Sequence, residues 1–297
     1  MKLRSTLENY IFVLPAVLIF SIFYIYPFIQ VFHFSFFDWD GIVAFKDAMP
    51  VGGGNFKEIV FQDSSWWQAM RNAGYITLIA LTFQNALAFL LAWACDREIR
   101  MKNFYRLIFF IPPVLSEIVV GMAWRFIIND VDGANIINRM LIGMGLPQLV
   151  HHWLSDPKTS LTTVALVHSW KGFGWGFLIF LAGLQTIPRE LYEAARVDGA
   201  SAWDSFTKIT IPLMIPVAVL VAILTILGAM QAFVLIIGLV GGELAGYTSV
   251  PVLRILASMR GSSRFGYACA QGITFGVILV IISFIQYRFS KNARKLQ

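Results

Sequence analysis

Long apolar runs alternate with short polar ones along all 297 residues. A helix that crosses a bilayer needs about 20 mostly apolar residues. Six segments meet that length: about Tyr10 to Phe34, Asn72 to Ala94, Tyr105 to Ile128, Leu161 to Leu184, Leu213 to Val240 and Tyr267 to Phe289. The pattern predicts an all-α polytopic membrane protein with six transmembrane helices. Lys2 and Arg4 precede the first run with signal-peptide polarity. That run exceeds the length of a signal sequence and ends without a small-x-small cleavage site, so it reads as a retained helix.

Composition supports the same class. Hydrophobic residues make up 58% of the chain and charged ones 13%, with 26 Phe. Soluble domains carry roughly 25% charged residues. Disorder, collagen and a disulfide-rich secreted scaffold are excluded. The net charge of +6 lies in short basic runs beside the apolar segments, so no nucleic-acid partner is expected. Those runs set an orientation. With the N-terminus inside, the inside segments hold 13 Lys and Arg and the outside segments 8. Arg254, Arg260 and Arg264 in the last outside loop run against the rule. Both termini are therefore expected in the cytoplasm. Cys95 and Cys269 fall near opposite ends of predicted spans, so no bridge between them is expected.

Two outside segments are long. Phe36 to Trp67 contains Asp38, Asp40 and the Gly52-Gly53-Gly54 run; Asn129 to Ser160 contains Asp130, Asp132, Gly133 and Trp153. They either meet an external partner or cap the bundle. No internal repeat links the first three spans to the last three, which argues against an inverted-repeat carrier.

The inside segment from Gln185 to Pro212 predicts two short helices and a turn. Pro188 suits a first helical turn. Gly199 suits the left-handed position that ends a helix. Ser201 with Asp204 forms a Ser-x-x-Asp start signal. Pro212 marks a turn into the fifth span. The small residues Ala194 and Ala195 allow close approach by a partner, and Glu193 offers it a carboxylate.

Glu193-Ala194-Ala195, then Gly199, then Ile209-x-Ile211-Pro212 resembles the EAA loop of binding-protein-dependent ABC importer permeases. The family pattern ends Ile-x-Leu-Pro, and Ile211 is a mild departure. Other parts of the chain are similar to carbohydrate permeases of that family. These are Tyr26-Pro27, Trp39-Asp40-Gly41, Phe104-Tyr105-Arg106 through Phe109-Phe110-Ile111-Pro112, Trp170-Lys171-Gly172, Leu184-Gln185-x-Ile187-Pro188 and Phe265-Gly266-Tyr267-Ala268. The set resembles the first of two permeases in oligosaccharide importers, the counterpart of the larger maltose-transporter subunit. The usual Gly-Gly-Pro after the fifth span is Gly241-Gly242-Glu243 here.

The resemblance implies a type I ABC importer permease fold. It divides the chain into a first helix and outer loop (1–69), a core of five helices with the coupling loop at about 186–212 (70–289), and a cytoplasmic tail (290–297). It implies one half of a heterodimeric pore in a bacterial or archaeal cytoplasmic membrane, surrounded by membrane lipid. It also implies a second permease, an ATPase dimer and an extracytoplasmic sugar-binding protein. No Gly-x-x-x-x-Gly-Lys-Ser/Thr is present, so ATP and magnesium are expected on the partner ATPase, with no cofactor, no metal site and no catalytic residue in this chain. Glu193, Ala194, Ala195, Asp198 and Gly199 are implied in coupling to that ATPase. The related alternatives are an importer of sn-glycerol 3-phosphate and, less favoured, a stand-alone channel or secondary carrier.

Other constellations carry less. His151-His152 lacks the further ligands a zinc site needs. No His-Glu-x-x-His is present, and Gly199-x-Ser201 lacks the setting of a nucleophile elbow. Gly172, Gly174 and Gly176 follow no strand, and Gly172-x-x-x-Gly176 reads as helix packing. Charge within a bilayer is costly and turns toward a cavity or a partner. Glu117, Arg125 and Lys171 are charged positions of this kind, and Gln84 and Gln231 are intramembrane polar ones. Arg125 is close enough to a span end to snorkel, and Glu117 and Lys171 are a candidate pair. For the substrate path, Lys171, Gly172 and Trp175 share a helical face at i, i+1 and i+4. Thr225, Gly228, Ala229 and Ala232 share another, with Gln231 at its edge. These positions align with the sugar site of the maltose-type permease, although several residue types differ there. The alternative roles are packing of Trp175 on lipid or a neighbouring helix, and a backbone hydrogen bond for Thr225.

Overall fold

The computed structural model describes residues 12–96, 100–128, 135–240 and 246–294. Lys2, Arg4, Arg97, Asp130, Asp132, Gly133, Gly241, Gly242, Glu243 and Lys295 lie outside them. Helices α1 (Phe12–Phe34), α3 (Ser64–Asp96), α7 (Ser160–Leu184), α9 (Ala202–Met230) and α12 (Phe265–Arg294) contain membrane-spanning lengths. The shorter elements are α2 (Gly54–Phe61), α4 (Lys102–Val114), α5 (Glu117–Ile128), α6 (Ile136–Gly143), α8 (Arg189–Val197), α10 (Val234–Val240) and α11 (Pro251–Arg260).

Two expected spans are corrected. The third is not one helix, because α4 and α5 meet at 96°. Pro112 and Pro113 close α4. They remove two consecutive backbone donors, and Leu115 is already extended. The fifth span ends at Met230, and Val234–Val240 forms a separate helix. No proline or glycine forces that break. Its cause lies in packing, since α10 lies backbone to backbone against α5. A Cβ on Gly121 would come within 2.5 Å of the Leu235 carbonyl oxygen, and one on Gly238 within 2.7 Å of the Ile118 carbonyl oxygen.

The expected turn at Pro212 is also corrected. The chain runs helically from Ala202 into α9. Helices α1, α3 and α9 each contain a widened turn, at Ser21–Ile25, Ala80–Gln84 and Phe206–Thr210. Those in α1 and α9 lead directly to Pro27 and Pro212. A proline ring crowds the carbonyl four residues back. Lengthening the turn by one residue relieves that crowding without ending the helix.

The chain separates into two compact units, 1–64 with 254–278, and 65–253 with 279–297. In the first, α1 buries none of its residues. A short hairpin follows, pairing β1 (Phe37–Asp38) with β2 (Met49–Pro50). Asn55 Nδ2 donates to the carbonyls of Ser35 and Phe37 at 2.9 and 3.0 Å and pins α2 beneath it. The Gly266 N–H donates to the Trp39 carbonyl at 2.9 Å. Any Cβ at Gly266 would collide with the Phe37 carbonyl oxygen. Arg264 closes this unit with a bidentate pair to Glu58, both contacts 2.7 Å, and its guanidinium lies 4.1 Å from the centre of the Tyr267 ring.

In the second unit α7 is the central element. Phe173, Phe177, Phe180, Leu181 and Leu184 pack on Ala88, Ala92 and Cys95 of α3 and on Met214 and Val221 of α9. Gly174 lets α4 approach, because a Cβ there would strike the Phe109 carbonyl oxygen and the Pro113 ring. Cys95 and Cys269 are free thiols.

Candidate translocation cavity and coupling loop

Within the second unit, α3, α5, α7 and α9 enclose a cavity of about 310 Å³. That is within the size range of small-molecule sites. Lys171, Gly172, Trp175, Thr225, Gly228 and Ala229 all line it. Gln231 instead caps α9 and is exposed, and Ala232 is buried; neither is among the residues lining this cavity. The remaining wall includes Gln84, Glu117, His168 and Gly176.

Each polar group has a local cause. The widened turn in α3 carries Gln84 and Asn85 toward α7 and α9. Thr225 Oγ1 donates to Asn85 Oδ1 at 2.9 Å rather than to its own helix. The Gln84 amide fits against Gly172, where a Cβ would approach its Oε1 to 2.6 Å. Gln84 Oε1 is buried and has no hydrogen-bond partner in the protein, which leaves an acceptor free for a ligand. Lys171 Nζ lies 3.7 Å from Glu117 Oε1. That distance is an ion pair without a hydrogen bond, so both groups keep donor and acceptor capacity. Trp175 is 55% exposed and touches the Phe110 ring edge-on, with centroids 5.4 Å apart. One indole face, two charged groups, an amide and a hydroxyl thus surround the space. No serine or cysteine is among its described lining. Asn85 and His168 were not singled out from the sequence. The available signal was a polar side chain inside an apolar run.

The loop after α7 has the expected first helix, turn and start signal, but its second helix continues into α9 instead of ending short. Helix α8 starts after Pro188 and stops at Val197. Gly199 is left-handed at φ +79°. Ser201 and Asp204 form a reciprocal capping box. Glu193, Ala194, Asp198 and Gly199 are exposed and Ala195 is half-buried. Val197 and Trp203, 88% and 70% exposed, add apolar surface beside them. Tyr192 Oη hydrogen-bonds Thr210 Oγ1 at 2.9 Å, joining α8 to the widened turn of α9.

Residues 9–295 match the family described as the binding-protein-dependent transport system inner membrane component. The chain belongs to that family. Among relatives of this inner membrane component is the probable ABC transporter permease protein YurN of Bacillus subtilis (strain 168). It is 30% identical, covering 98% of this chain and 99% of YurN. The arabinooligosaccharides transport system permease protein AraP of the same organism is also 30% identical, covering 95% and 88%. A solved structure of a bacterial alginate ABC transporter, in complex with an alginate pentasaccharide-bound periplasmic protein, contains a chain of the same fold. The TM-score is 0.80 at 23% identity, covering 98% of this chain and 96% of the other. The fold is that of an ABC importer permease, an all-α multi-pass membrane protein, and the chain is a transport component.

Proposed function

We propose that this chain is one of two permease subunits in an ATP-driven, binding-protein-dependent importer of sugars, with oligosaccharides as the favoured substrates. The observation that carries the reading is the cavity shared by α3, α5, α7 and α9. Sugars present flat apolar faces and a rim of hydroxyls. The exposed face of Trp175 suits the first, and Gln84 Oε1, Thr225 and the loosely paired Lys171 and Glu117 suit the second. The name of AraP, an arabinooligosaccharide permease, supports the same substrate class. In this reading the cytoplasmic membrane holds the chain with both termini and α8 inside. A second permease completes the pore. A separate ATPase dimer holds ATP and magnesium and docks on Glu193, Ala194, Ala195, Asp198 and Gly199. An external binding protein delivers the substrate, a role for which the periplasmic protein bound to the alginate transporter is a parallel. Lys171 in the wall is the feature that favours sn-glycerol 3-phosphate as a second reading, and its Glu117 partner counts against it.

The test is sugar uptake by the assembled transporter carrying Trp175→Ala or Thr225→Val. Changed apparent affinity or sugar preference, with basal ATPase activity and assembly kept, supports the assignment. Unchanged uptake of every accepted sugar in both variants rejects this cavity as the substrate path.

A further inference from the structure

A second cavity, of about 460 Å³, lies on the other side of α7. Thr159, Thr162, Thr163, Leu166, Val167 and Trp170 line it. Their spacing of i, i+3, i+4, i+7, i+8 and i+11 marks one continuous face. The centre of that face is roughly half a turn around α7 from the translocation cavity. This groove is therefore distinct from the cavity described above, and it is open, with Phe83 and Leu166 in its lining 48% and 43% exposed.

Its chemistry is not that of a sugar site. The three threonine hydroxyls are already engaged. Thr162 pairs with Tyr75 at 3.0 Å, Thr163 donates to the Thr159 carbonyl at 3.0 Å, and Thr159 faces the carbonyls of His152 and Trp153 at 3.4 Å. What they present to the groove is mainly methyl surface, beside Trp124 and Trp170. Lys158 is the one charged residue in the described lining, and it lies at the mouth just before α7 begins. Trp153 also lines the groove at that end, and lysine and tryptophan both favour the membrane–water boundary.

The dimensions select the occupant. From Thr159 to Trp170 the helix rises about 16 Å. One leaflet of the hydrocarbon core is about 15 Å deep. The groove thus runs from the interface to the middle of the bilayer and stops, which is the depth of one acyl chain. We propose that this groove binds a membrane phospholipid, one acyl chain lying along α7 and the headgroup phosphate held by Lys158.

The assembled transporter in nanodiscs of phosphatidylethanolamine tests this, with phosphatidylglycerol carrying a photoactivatable diazirine near the end of one acyl chain. Labelling should map to residues 166–170 and 83–87. Leu166→Trp fills the groove and should abolish that labelling while basal ATPase activity is unchanged. Lys158→Gln, at an exposed position that the fold does not depend on, should lower labelling by about fivefold at limiting photolipid. Wild-type labelling in either variant overturns the proposal. So does a disulfide formed between a cysteine placed at Leu166 and a helix of the second permease, because the groove would then hold protein.

Discussion

The contact between α5 and α10 can be measured by adding single methyl groups. At Gly121 an added Cβ meets the Leu235 carbonyl oxygen at 2.5 Å and the Gly238 Cα at 2.8 Å. Ordinary contact begins at about 3.4 Å, so the two backbones must separate by about 0.9 Å. Overpacking of this kind costs about 1–3 kcal/mol. Alanine also favours a helix over glycine by about 1 kcal/mol, which masks part of the loss. Gly74 supplies the correction. It is helical and exposed in α3, with nothing within 4 Å of its added Cβ. Gly74→Ala therefore receives the propensity gain alone, and the difference between the two variants isolates the packing cost. Taking about 2 kcal/mol and about 2–4 °C per kcal/mol, Gly121→Ala should melt about 4–8 °C below Gly74→Ala. Fluorescence-detected size exclusion after heating, on the assembled transporter in detergent, measures this. Adding Gly238→Ala to Gly121→Ala should cost less than the two single losses combined, since the helices are already apart. Equal melting of Gly121→Ala and Gly74→Ala would refute the close approach.

Three further outcomes follow from the structure. Glu193→Ala and Gly199→Val should leave membrane insertion intact and lose substrate-stimulated ATPase activity, the first by removing an exposed carboxylate and the second by forcing a β-branched residue to φ +79°; full coupling in both would remove the role of the loop. In a cysteine-free background, a cysteine at Ser201 should resist an impermeant thiol reagent in intact cells and one at Ser155 should react; the reverse pattern inverts the topology. The Arg264 hydrogen bonds hold the Glu58 carboxyl below its usual range of about 4.5. A lowered folded value means that the pair stabilises fully above the unfolded pKa and fades as pH falls through the folded one. Stability should therefore be flat from pH 7 to 5 and lose no more than about 1 kcal/mol below 4.5, because both partners are partly exposed. Glu58→Gln should remove that acid-side loss in melting scans, and a loss centred near neutral pH would contradict the assignment.

The helices were legible in the sequence because an uninterrupted apolar run of that length has few other uses. The bend after α4 was legible too, in Pro112-Pro113, but the surrounding hydrophobicity reads as one continuous span. The break after Met230 carries no local mark. It depends on Gly121 and Gly238, more than a hundred residues apart, coming together. At the cavity, the spacing of Lys171, Gly172 and Trp175 placed them on one face because α7 is regular throughout. Asn85 escaped for the opposite reason. The extra residue in Ala80–Gln84 shifts the helical phase, and a 3.6-residue period does not reveal such a shift. In the loop, glycine and the Ser-x-x-Asp signal act over three or four residues, so local reading sufficed for α8 and its stop.

The Tyr192–Thr210 hydrogen bond makes α9 a lever arm. Thr210 stands at its tethered end and Thr225 in the cavity wall, about 22 Å apart along the helix axis. With α8 fixed to that end, a force on α8 tilts the arm. A tilt of about five degrees carries Thr225 sideways by about 2 Å, more than half the length of a hydrogen bond. A displacement of that size separates Thr225 from Asn85 and reshapes the cavity. Under the proposed coupling role of α8, a push there would reach the cavity as a swing of α9, and Met214 and Val221 would have to slide on the α7 face they pack against.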